Sequence, residues 1–388
     1  MLDRARIALL SSYPADHRTF TGGVETATAG LLEGLRAYQG EFDFHVVSVA
    51  KSTHEDVHEH RDGFSFHFLG DAGRSWIGSK LPYRVGAVCR ELRRIRPDVI
   101  HCQDNMALAL AAVLSGYPRV FTVHGVKRHE VGKRTGRERW GACIDALLEG
   151  YVHRHFDAYV CISPYAADVL GSGRLTVAIP NPVRSRFFEM CRNEDRGTSL
   201  YLLFAGVLAP LKRPADLLLA HEVLRREFAG LETIFCGAVE DARYAGALRK
   251  MVVEREIAGV CFAGGVSQER LAELLSGAAA LVLPSAQENA PMIIAEAMAM
   301  GIPVVASRVG GVPSLVSHGK TGFLFRPGYV AELTEYLRRL LADPDLRRRL
   351  GARGRAVAEQ TYRSDHVAEA TTRLYRQLLQ RGAALLAS

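Results

Sequence analysis

The amino-acid sequence predicts two α/β domains, each a doubly wound parallel sheet with helices on both faces. Three observations support this fold class. The chain has 388 residues, about twice the length of a typical domain. Short apolar runs of strand length alternate with helical stretches along nearly the whole chain. The alternation stops at a polar, turn-rich stretch, CRNEDRGTS at 191–199, and then begins again, which predicts a second sheet with its own helices.

The first domain is predicted to span residues 1–190. Its helices are expected at 24–38, directly after Gly22 and Gly23, and at 82–95, where a proline suits the first turn. Its strands are expected where mostly apolar runs end in small or polar residues, at 6–11, 44–50, 64–69, 98–101, 120–124, 158–162 and 175–179. The sequence Pro-Asn-Pro at 180–182 then breaks the alternation.

The second domain is predicted to span residues 191–365. Strands are expected at 200–205, 232–236, 260–263, 280–283, 303–306 and 323–325, with helices at 213–228, 242–256, 268–275 and 291–300. Residues 366–388 are expected to form a C-terminal helix that packs back on the N-terminal domain. Ligands of such Rossmann-like sheets bind beyond the carboxyl ends of the strands, so we expect the two domains to face a central cleft that holds the substrates.

Composition and charge narrow the class of protein. Lys and Arg exceed Asp and Glu by 49 to 42, a net charge of +7 that permits an anionic partner. The seven cysteines are widely spaced without a Cys-x-x-Cys pair, which argues against a disulfide framework or a zinc ribbon. The sequence contains no run of 18 apolar residues and no leader-like start. We therefore expect a soluble cytoplasmic protein.

The segment 284–311, PSAQENAPMIIAEAMAMGIPVVASRVGG, contains the clearest chemical signal. A strand is expected to end just before it, and Pro291 suits the start of a helix that Gly301 ends. The free N–H groups of a helix that begins beyond a strand suit a phosphate. Glu288 and Glu296 flank this helix start, about 12 Å apart along the axis. Their carboxylates can accept hydroxyl hydrogen bonds from sugars on both sides of a diphosphate.

This segment resembles the retaining glycosyltransferases of family 4, which have the GT-B fold. Glu288 and Glu296 match the family's E-x7-E motif, and EAMAMGIPVVASRVGG matches the pattern around its second glutamate. Similar stretches occur at 98–101, 123–125, 161–163, 179–183 and 321–324. The resemblance implies a transferase that moves a sugar from a nucleoside diphosphate sugar to an acceptor hydroxyl, in the biosynthesis of a glycan, polysaccharide, glycolipid or glycosylated metabolite. It implies no cofactor apart from this donor substrate.

The resemblance also implies roles for residues of the motif. Glu288 would contact the hydroxyls of the donor sugar, and Glu296 would bind the ribose. The loop between them would offer backbone amides to the sugar or phosphate; it comprises Asn289, Ala290, Pro291 and Met292. Pro291 has no N–H to donate, which departs from the commoner glycine-rich version.

A second site segment, FAGVLAPLKR, spans residues 204–213. Family members have an Arg directly after the glycine and a Lys five residues beyond it, both of which grip the diphosphate. In this chain Lys212 occupies the position of that Lys, whereas Val207 occupies the position of the Arg. Arg213 or Arg308 would have to supply the second cation, and the sequence leaves this open.

Two further candidates lie in the first domain. Gly22 and Gly23 resemble the N-terminal glycine loop that lets the backbone approach the diphosphate, although a Gly-Gly pair alone is more often a plain turn. His124 resembles the family's active-site histidine beside the transferred sugar. Its alternative role is that of a structural histidine with satisfied hydrogen bonds.

Two polar segments have less specific signals. The segment HEDVHEHRD contains His54 and His58 at the i, i+4 spacing with which two histidines of a helix can bind a metal, and His60 lies close by. The alternative is that this segment forms a solvated surface loop. The segment 126–139, VKRHEVGKRTGRER, has six basic and two acidic residues, a local charge of +4. It forms either a solvated loop or an acceptor-side surface that meets a lipid phosphate or an anionic membrane at the inner face.

The alternatives to a glycosyltransferase are a sugar-nucleotide epimerase or a phosphorylase of the same fold. Nucleic-acid binding is disfavoured, because no basic helix-turn-helix or aromatic-interleaved basic strand occurs. A nicotinamide dehydrogenase is disfavoured because no Gly-x-Gly-x-x-Gly follows the first strand. We expect transfer without a metal, since Lys212 and a helix N-terminus can stabilise the leaving diphosphate. The sugar, the nucleotide and the acceptor are not specified by the sequence.

Overall fold

A computed structural model describes the chain except for residues 1–3, 19, 21, 51–54, 71–76, 104–106, 126–148, 153, 171–174, 191–199 and 388. The chain folds into two compact units. The first unit comprises Met1–Pro182 together with Ser364–Ser388, and the second comprises Val183–Arg363. The predicted boundaries, 190/191 and 365/366, lie slightly further along the chain, and the polar stretch 191–199 that suggested the first of them lies outside the described residues.

The first unit contains an eight-stranded sheet in the order β3-β4-β2-β1-β5-β6-β7-β8. All neighbouring strands are parallel except β3 and β4, which are antiparallel. The strands are β1 (Ala5–Leu10), β2 (Phe42–Ala50), β3 (Val57–Arg61), β4 (Phe64–Gly70), β5 (Val99–Cys102), β6 (Arg119–Val123), β7 (Ala158–Cys161) and β8 (Thr176–Ala178). The helices include α1 (Gly23–Leu35), α2 (Ile77–Ile95), α3 (Ala107–Ser115) and α4 (Pro164–Leu170).

The second unit contains a parallel six-stranded sheet in the order β11-β10-β9-β12-β13-β14. Its strands are β9 (Tyr201–Ala205), β10 (Glu232–Cys236), β11 (Val260–Gly264), β12 (Ala280–Leu283), β13 (Val304–Ser307) and β14 (Gly322–Phe325). Its helices are α5 (Ser185–Glu189), α6 (Pro214–Glu227), α7 (Ala242–Glu254), α8 (Gln268–Ser276), α9 (Met292–Ala299), α10 (Val312–Leu315), α11 (Val330–Ala342) and α12 (Pro344–Thr361). A short 3₁₀ turn, Pro210–Lys212, precedes α6.

Several inner strands of both sheets are buried along their whole length. Every residue of β12 and β13 is buried, as is every residue of β5 and β7. Parallel strands with helices on both faces have no solvent side, so their sequences are continuously apolar rather than alternating. The two sheets confirm the predicted fold class of two doubly wound α/β domains.

The last helix, α13 (Ser364–Ala387), belongs to the first unit. Tyr375 is fully buried there and packs edge-on against Phe42 of β2. Gly34 of α1 allows the close contact of the two helices, because a Cβ at this position would lie 2.1 Å from the Ser364 carbonyl oxygen. The glycine inside α1 is thus explained by helix packing.

Two local features differ from the sequence prediction. Helix α2 begins at Ile77, so Pro82 lies inside the helix rather than in its first turn. Part of HEDVHEHRD forms the edge strand β3, which includes His58 and His60, so this part is neither a helix nor a loop, while His54 lies outside the described residues. No helix in the described part of the chain combines the length and apolar character that a membrane span requires.

Candidate functional site

The second unit places two sequence motifs side by side at the centre of its sheet. Strand β9 lies between β10 and β12, so the order of the strands reverses at the β9–β12 pair. Ligands of doubly wound sheets bind outside the carboxyl ends of the strands at such a point. The two loops that follow these strands are joined there, since the N–H of Ala286 donates to the Leu211 carbonyl at 2.8 Å.

A buried carboxylate and a lysine form an ion pair at this point. Nζ of Lys212 lies 2.6 Å from Oε1 of Glu288, and the Ser285 hydroxyl donates to the same oxygen at 2.6 Å. The Glu288 side chain is 8% exposed and that of Lys212 is 26% exposed. The lysine therefore remains accessible to a ligand, while the carboxylate is held in place by two donors.

The end of the long motif supports the Glu288 loop. Gly310 has a φ of +48°, and a Cβ there would lie 1.8 Å from the Glu288 carbonyl oxygen, so only glycine fits. The N–H of Gly311 donates to the same carbonyl at 3.2 Å. The Ser307 hydroxyl donates to the Ser285 carbonyl at 2.6 Å. These contacts give a packing reason for the serine and the two glycines that follow the second glutamate in the sequence.

Helix α9 begins next to this loop without a side-chain cap. Its N-cap is Pro291, whose side chain makes no capping hydrogen bond. Asn289, Ala290 and Pro291 are half-buried, whereas Met292 is buried in the first turn. An uncapped helix start leaves donors and a positive dipole end available for an anion.

Glu296 lies in the same helix in a much less polar environment. All residues of α9 except Ile293 are buried, and Glu296 is 3% exposed. Burial raises the pKa of Glu296 to about 7, and the positive charge of Arg184 opposes this rise. The two motif glutamates therefore differ: Glu288 has a lysine partner, whereas Glu296 is close to half-protonated at neutral pH.

Arg213, a candidate for the second cation, pairs with an acid of its own helix. Its guanidinium donates to the Asp216 carboxylate at 2.8 and 3.1 Å, and this bond raises the pKa of Arg213. Arg308, the other candidate, is exposed at the end of β13. Gly206 follows β9 and has room for a Cβ, whereas at Gly237 a Cβ would lie 2.0 Å from the Gly206 carbonyl oxygen. The close approach of the backbone thus depends on Gly237, which the motif comparison missed.

The predicted glycine loop of the first unit opens helix α1. Gly22 is the N-cap with an extended φ of −145°, and Gly23 is the first helical residue. The N–H of Gly22 donates to the Glu25 carboxylate at 3.2 Å. No atom lies within 4 Å of a Cβ built on Gly22. Neither backbone strain nor packing requires glycine at Gly22.

His124 lies at the carboxyl end of β6 in a chain of hydrogen bonds. Its Nε2 lies 2.7 Å from Oε1 of Gln103, and the Gln103 amide nitrogen lies 3.1 Å from Nε2 of His101. Nδ1 of His101 is 2.6 Å from the Tyr375 hydroxyl. An amide oxygen only accepts, so the bond to Gln103 places a proton on Nε2 of His124.

Burial lowers the pKa of both histidines, to about 4 for His124 and about 3 for His101, so both rings are neutral at physiological pH. A small pocket beside them is lined by His101, Gln103, Thr122 and Asn181 among apolar side chains. Gln103 and Tyr375 were not predicted from the sequence. The one signal in the sequence was the position of Gln103, a polar residue directly after strand β5, where ligand-binding side chains of such sheets lie.

Two remaining sequence features do not add to the site. Asp-x-Asp, a common metal-binding pair, occurs once, at Asp343 and Asp345. Asp343 caps helix α12 by accepting from the Leu346 N–H at 2.9 Å, and Asp345 pairs with Arg348 on the surface. These contacts give both carboxylates a structural role. The basic segment 126–139 lies outside the described residues.

Comparison with known proteins connects both units to one group of enzymes. Residues 21–186 match the family described as Glycosyltransferase Family 4, and residues 186–357 match the family described as Glycosyl transferases group 1. The chain is 31% identical over 306 residues to MMP alpha-(1→4)-mannosyltransferase of Mycolicibacterium hassiacum, covering 74% of this chain and 72% of that protein. It is 26% identical to D-inositol 3-phosphate glycosyltransferase of Pseudarthrobacter chlorophenolicus, covering 97% and 96%.

Solved structures share the architecture. Sucrose-phosphate synthase of Thermosynechococcus elongatus superposes with a TM-score of 0.83 at 22% identity, covering 97% of this chain and all of that one. Anabaena HepE, solved in complex with UDP and glucose, superposes with a TM-score of 0.74 at 18% identity, covering 96% of this chain and all of that one. Together with the two parallel sheets, these matches confirm the predicted GT-B fold.

Proposed function

Because the chain belongs to glycosyltransferase family 4 and is an enzyme that transfers a sugar, we propose that it binds the diphosphate of a nucleotide sugar donor at Lys212 and the start of helix α9. The observation that carries the proposal is the Lys212–Glu288 pair, at 2.6 Å, beside the uncapped helix start. The relatives are named as transferases and synthases, which favours transfer over the epimerase and phosphorylase alternatives.

Lys212 has the properties that a leaving diphosphate requires. Departure of the nucleotide leaves negative charge on the phosphate oxygens, and a preorganised cation stabilises this charge. Lys212 is partly exposed and fixed by a short 3₁₀ turn, so its ammonium group can shift from Glu288 to a phosphate without backbone movement. Glu288 then has an oxygen available for the hydroxyls of the donor sugar.

Glu296 and His124 complete the proposed binding groups. The Glu296 carboxylate accepts hydrogen bonds from the two ribose hydroxyls, for which it must be ionised. His124 is neutral, with the proton on Nε2 fixed by Gln103, and it acts as a polar neutral contact for the transferred sugar. Asn289, Ala290 and Met292 contribute backbone amides.

Retention of the sugar's configuration follows from attack on the face that the nucleotide leaves. In the proposed step, the bond between the anomeric carbon and the phosphate oxygen breaks while the acceptor oxygen bonds to the same carbon. The proton of the acceptor hydroxyl passes to the departing phosphate oxygen. We propose that Lys212 and the helix start stabilise the charge without a metal cofactor, so that transfer persists when a chelator is present.

We propose further that the acceptor carries a phosphate. D-inositol 3-phosphate and maltose-1-phosphate appear in the names of two relatives. The basic segment 126–139 would provide positive charge for such an acceptor. A soluble sugar phosphate and a lipid phosphate share this chemistry. Assays with each, in the presence and absence of anionic vesicles, separate the two sources.

Thermal shift with UDP-, GDP- and ADP-sugars tests the donor site. A donor that binds only the folded state raises the melting temperature, so we expect one nucleotide class to do so for the wild-type chain. HepE was solved with UDP, which makes UDP-sugars the first to examine. Lys212→Ala and Glu296→Ala should abolish the shift.

Lys250→Ala provides the matched control. Lys250 also pairs with a glutamate, Glu254 at 3.4 Å, but it is 72% exposed on the surface of α7 in the same unit. It should keep the full shift. A wild-type chain that responds to no nucleotide sugar, or a folded Lys212→Ala variant that binds donor as well as Lys250→Ala does, would contradict the proposal.

A further inference from the structure

Three side chains with metal-binding atoms meet at the edge of the first unit's sheet. His58 of edge strand β3 pairs directly with His67 of β4 in the antiparallel ladder. Glu91, from helix α2, approaches both histidines. Their ligand atoms are close to one another, and they form the one His, Cys, Asp or Glu cluster of this kind among the described residues. None of these residues belongs to the proposed donor site.

The separations of the three ligand atoms lie within about 0.5 Å of those around a tetrahedral ion. Nδ1 of His58 and Nδ1 of His67 are 3.0 Å apart. Oε1 of Glu91 is 2.9 Å from Nδ1 of His67 and 3.8 Å from Nδ1 of His58. A zinc ion bound at about 2.0–2.2 Å separates its ligands by roughly 3.3–3.5 Å. The two histidine nitrogens and the Glu91 oxygen therefore surround a position where one such ion would fit after small side-chain movements.

The Glu91 carboxylate provides an independent indication of a cation. The residue is 7% exposed, and its buried Oε1 makes no contact of hydrogen-bond geometry although Nδ1 of His67 lies 2.9 Å away. A buried carboxylate oxygen is costly unless it coordinates a metal or pairs with a charge, here a metal ion or a protonated histidine. The atom points at the two histidine nitrogens, which is where an ion would meet it.

The surroundings also orient the histidine that lies deepest. Nε2 of His67 is 3.0 Å from Nδ1 of His45, and Nε2 of His45 is 3.3 Å from the Asp43 carboxylate. A metal on Nδ1 of His67 leaves Nε2–H to donate to His45, whose own N–H then donates to Asp43. Such outer partners, ending in a carboxylate, are typical of metal-binding histidines.

We propose that His58, His67 and Glu91 bind one zinc ion, with an open fourth position for water. Two imidazoles and one carboxylate suit zinc better than magnesium or calcium, which prefer oxygen alone. His58 is exposed, so the ion has access from solvent. The ion would fasten edge strand β3 to β4 and α2, and it takes no part in sugar transfer.

Zinc titration of the full, chelator-treated chain tests the site. Competition with a chromophoric chelator should give one bound ion per chain. His58→Ala and Glu91→Gln should weaken binding more than about 100-fold, and His45→Ala by roughly 10–100-fold, as for other outer partners. His60→Ala is the matched control, because His60 is exposed on the same strand and its ring hydrogen-bonds Ser65. It should bind as the wild type does.

Cobalt substitution supplies a second readout that does not depend on transfer activity. Co²⁺ in the wild-type chain should show the intense visible absorption of a tetrahedral site, which His58→Ala and Glu91→Gln should lose while circular dichroism stays unchanged. A wild-type chain that binds no stoichiometric zinc would overturn the proposal. So would a zinc affinity that is the same in His58→Ala, Glu91→Gln and the wild type, since the ion would then lie elsewhere.

Discussion

Replacement of Glu296 by glutamine should make the protein more stable while it impairs donor binding. Burial raises the pKa of Glu296 from its ordinary 4.5 to about 7. Each pKa unit corresponds to 1.36 kcal/mol, so the folded chain loses about 3 kcal/mol of stability when this carboxyl is ionised. Glutamine has a similar shape and no charge. At pH 8 the Glu296→Gln variant should therefore be more stable than the wild type by up to about 3 kcal/mol.

The raised pKa of Glu296 also predicts the direction in which the stability of the wild-type chain changes with pH. Between pH 4.5 and 7 the folded state holds a proton on Glu296 that the unfolded state has lost, so stability falls as the pH rises through this window. The advantage of Glu296→Gln should accordingly be largest at pH 8 and should shrink to about 1 kcal/mol at pH 5. Urea denaturation at pH 5, 6, 7 and 8, followed by circular dichroism, measures the difference. Other titrating groups cancel because both proteins contain them.

Glu288→Gln is the control, and it should have the opposite effect on stability. The Glu288 carboxylate accepts from Lys212 and Ser285, so its loss should destabilise the chain by about 1–3 kcal/mol. Both variants should bind donor less well. Equal stability of Glu296→Gln and wild type at pH 8, or a difference that does not shrink at pH 5, would refute the reasoning about the buried carboxyl.

The other predictions concern separate features. Gly310→Ala should destabilise the protein by about 1–3 kcal/mol in urea denaturation, because its Cβ would meet the Glu288 carbonyl, whereas Gly22→Ala should cost far less. Gln103→Leu should lower kcat by about 10–100-fold without changing the donor Kd, since His124 loses the partner that orients it; an unchanged kcat would rule this out. Vesicle flotation should show salt-sensitive binding to anionic but not neutral lipid if segment 126–139 meets a membrane.

The sequence predicted most of the fold because the fold depends on local patterns. Buried parallel strands need continuous apolar runs such as ALVL in β12, and helices need their own period, so both are visible without tertiary information. The loop with Glu288 was predicted for a related reason: Pro291 and Gly301 delimit a helix in the sequence itself. The structure explains Gly310 and Ser307 of the same motif as supports of that loop.

Several features of the fold and of the site were not predicted. The contact between His101 and Tyr375 joins positions 274 residues apart, and no local pattern signals it. Strand β3 was missed because it is an exposed edge strand whose polar side chains do not alternate with buried ones. The ion pair of Arg213 with Asp216 was also not anticipated, although their i, i+3 spacing on a helix start is compatible with it.

Glu288 has a lysine partner, whereas burial raises the pKa of Glu296, and this difference affects how the proposed site binds a negatively charged donor. Lys212 and Glu288 neutralise each other, and Glu296 is only half-ionised near pH 7, so these three groups carry little net charge before the donor arrives. Val207 offers no cation to a diphosphate, and the Arg213 guanidinium already shares its charge with Asp216. On the proposed function, a diphosphate that draws the Lys212 ammonium away from Glu288 leaves the carboxylate open to the sugar hydroxyls. In this scheme, the movement of Lys212 towards the phosphate and the binding of sugar hydroxyls to Glu288 are coupled. A nucleoside diphosphate without a sugar should therefore bind more weakly, because it leaves the buried Glu288 carboxylate with Ser285 as its remaining donor.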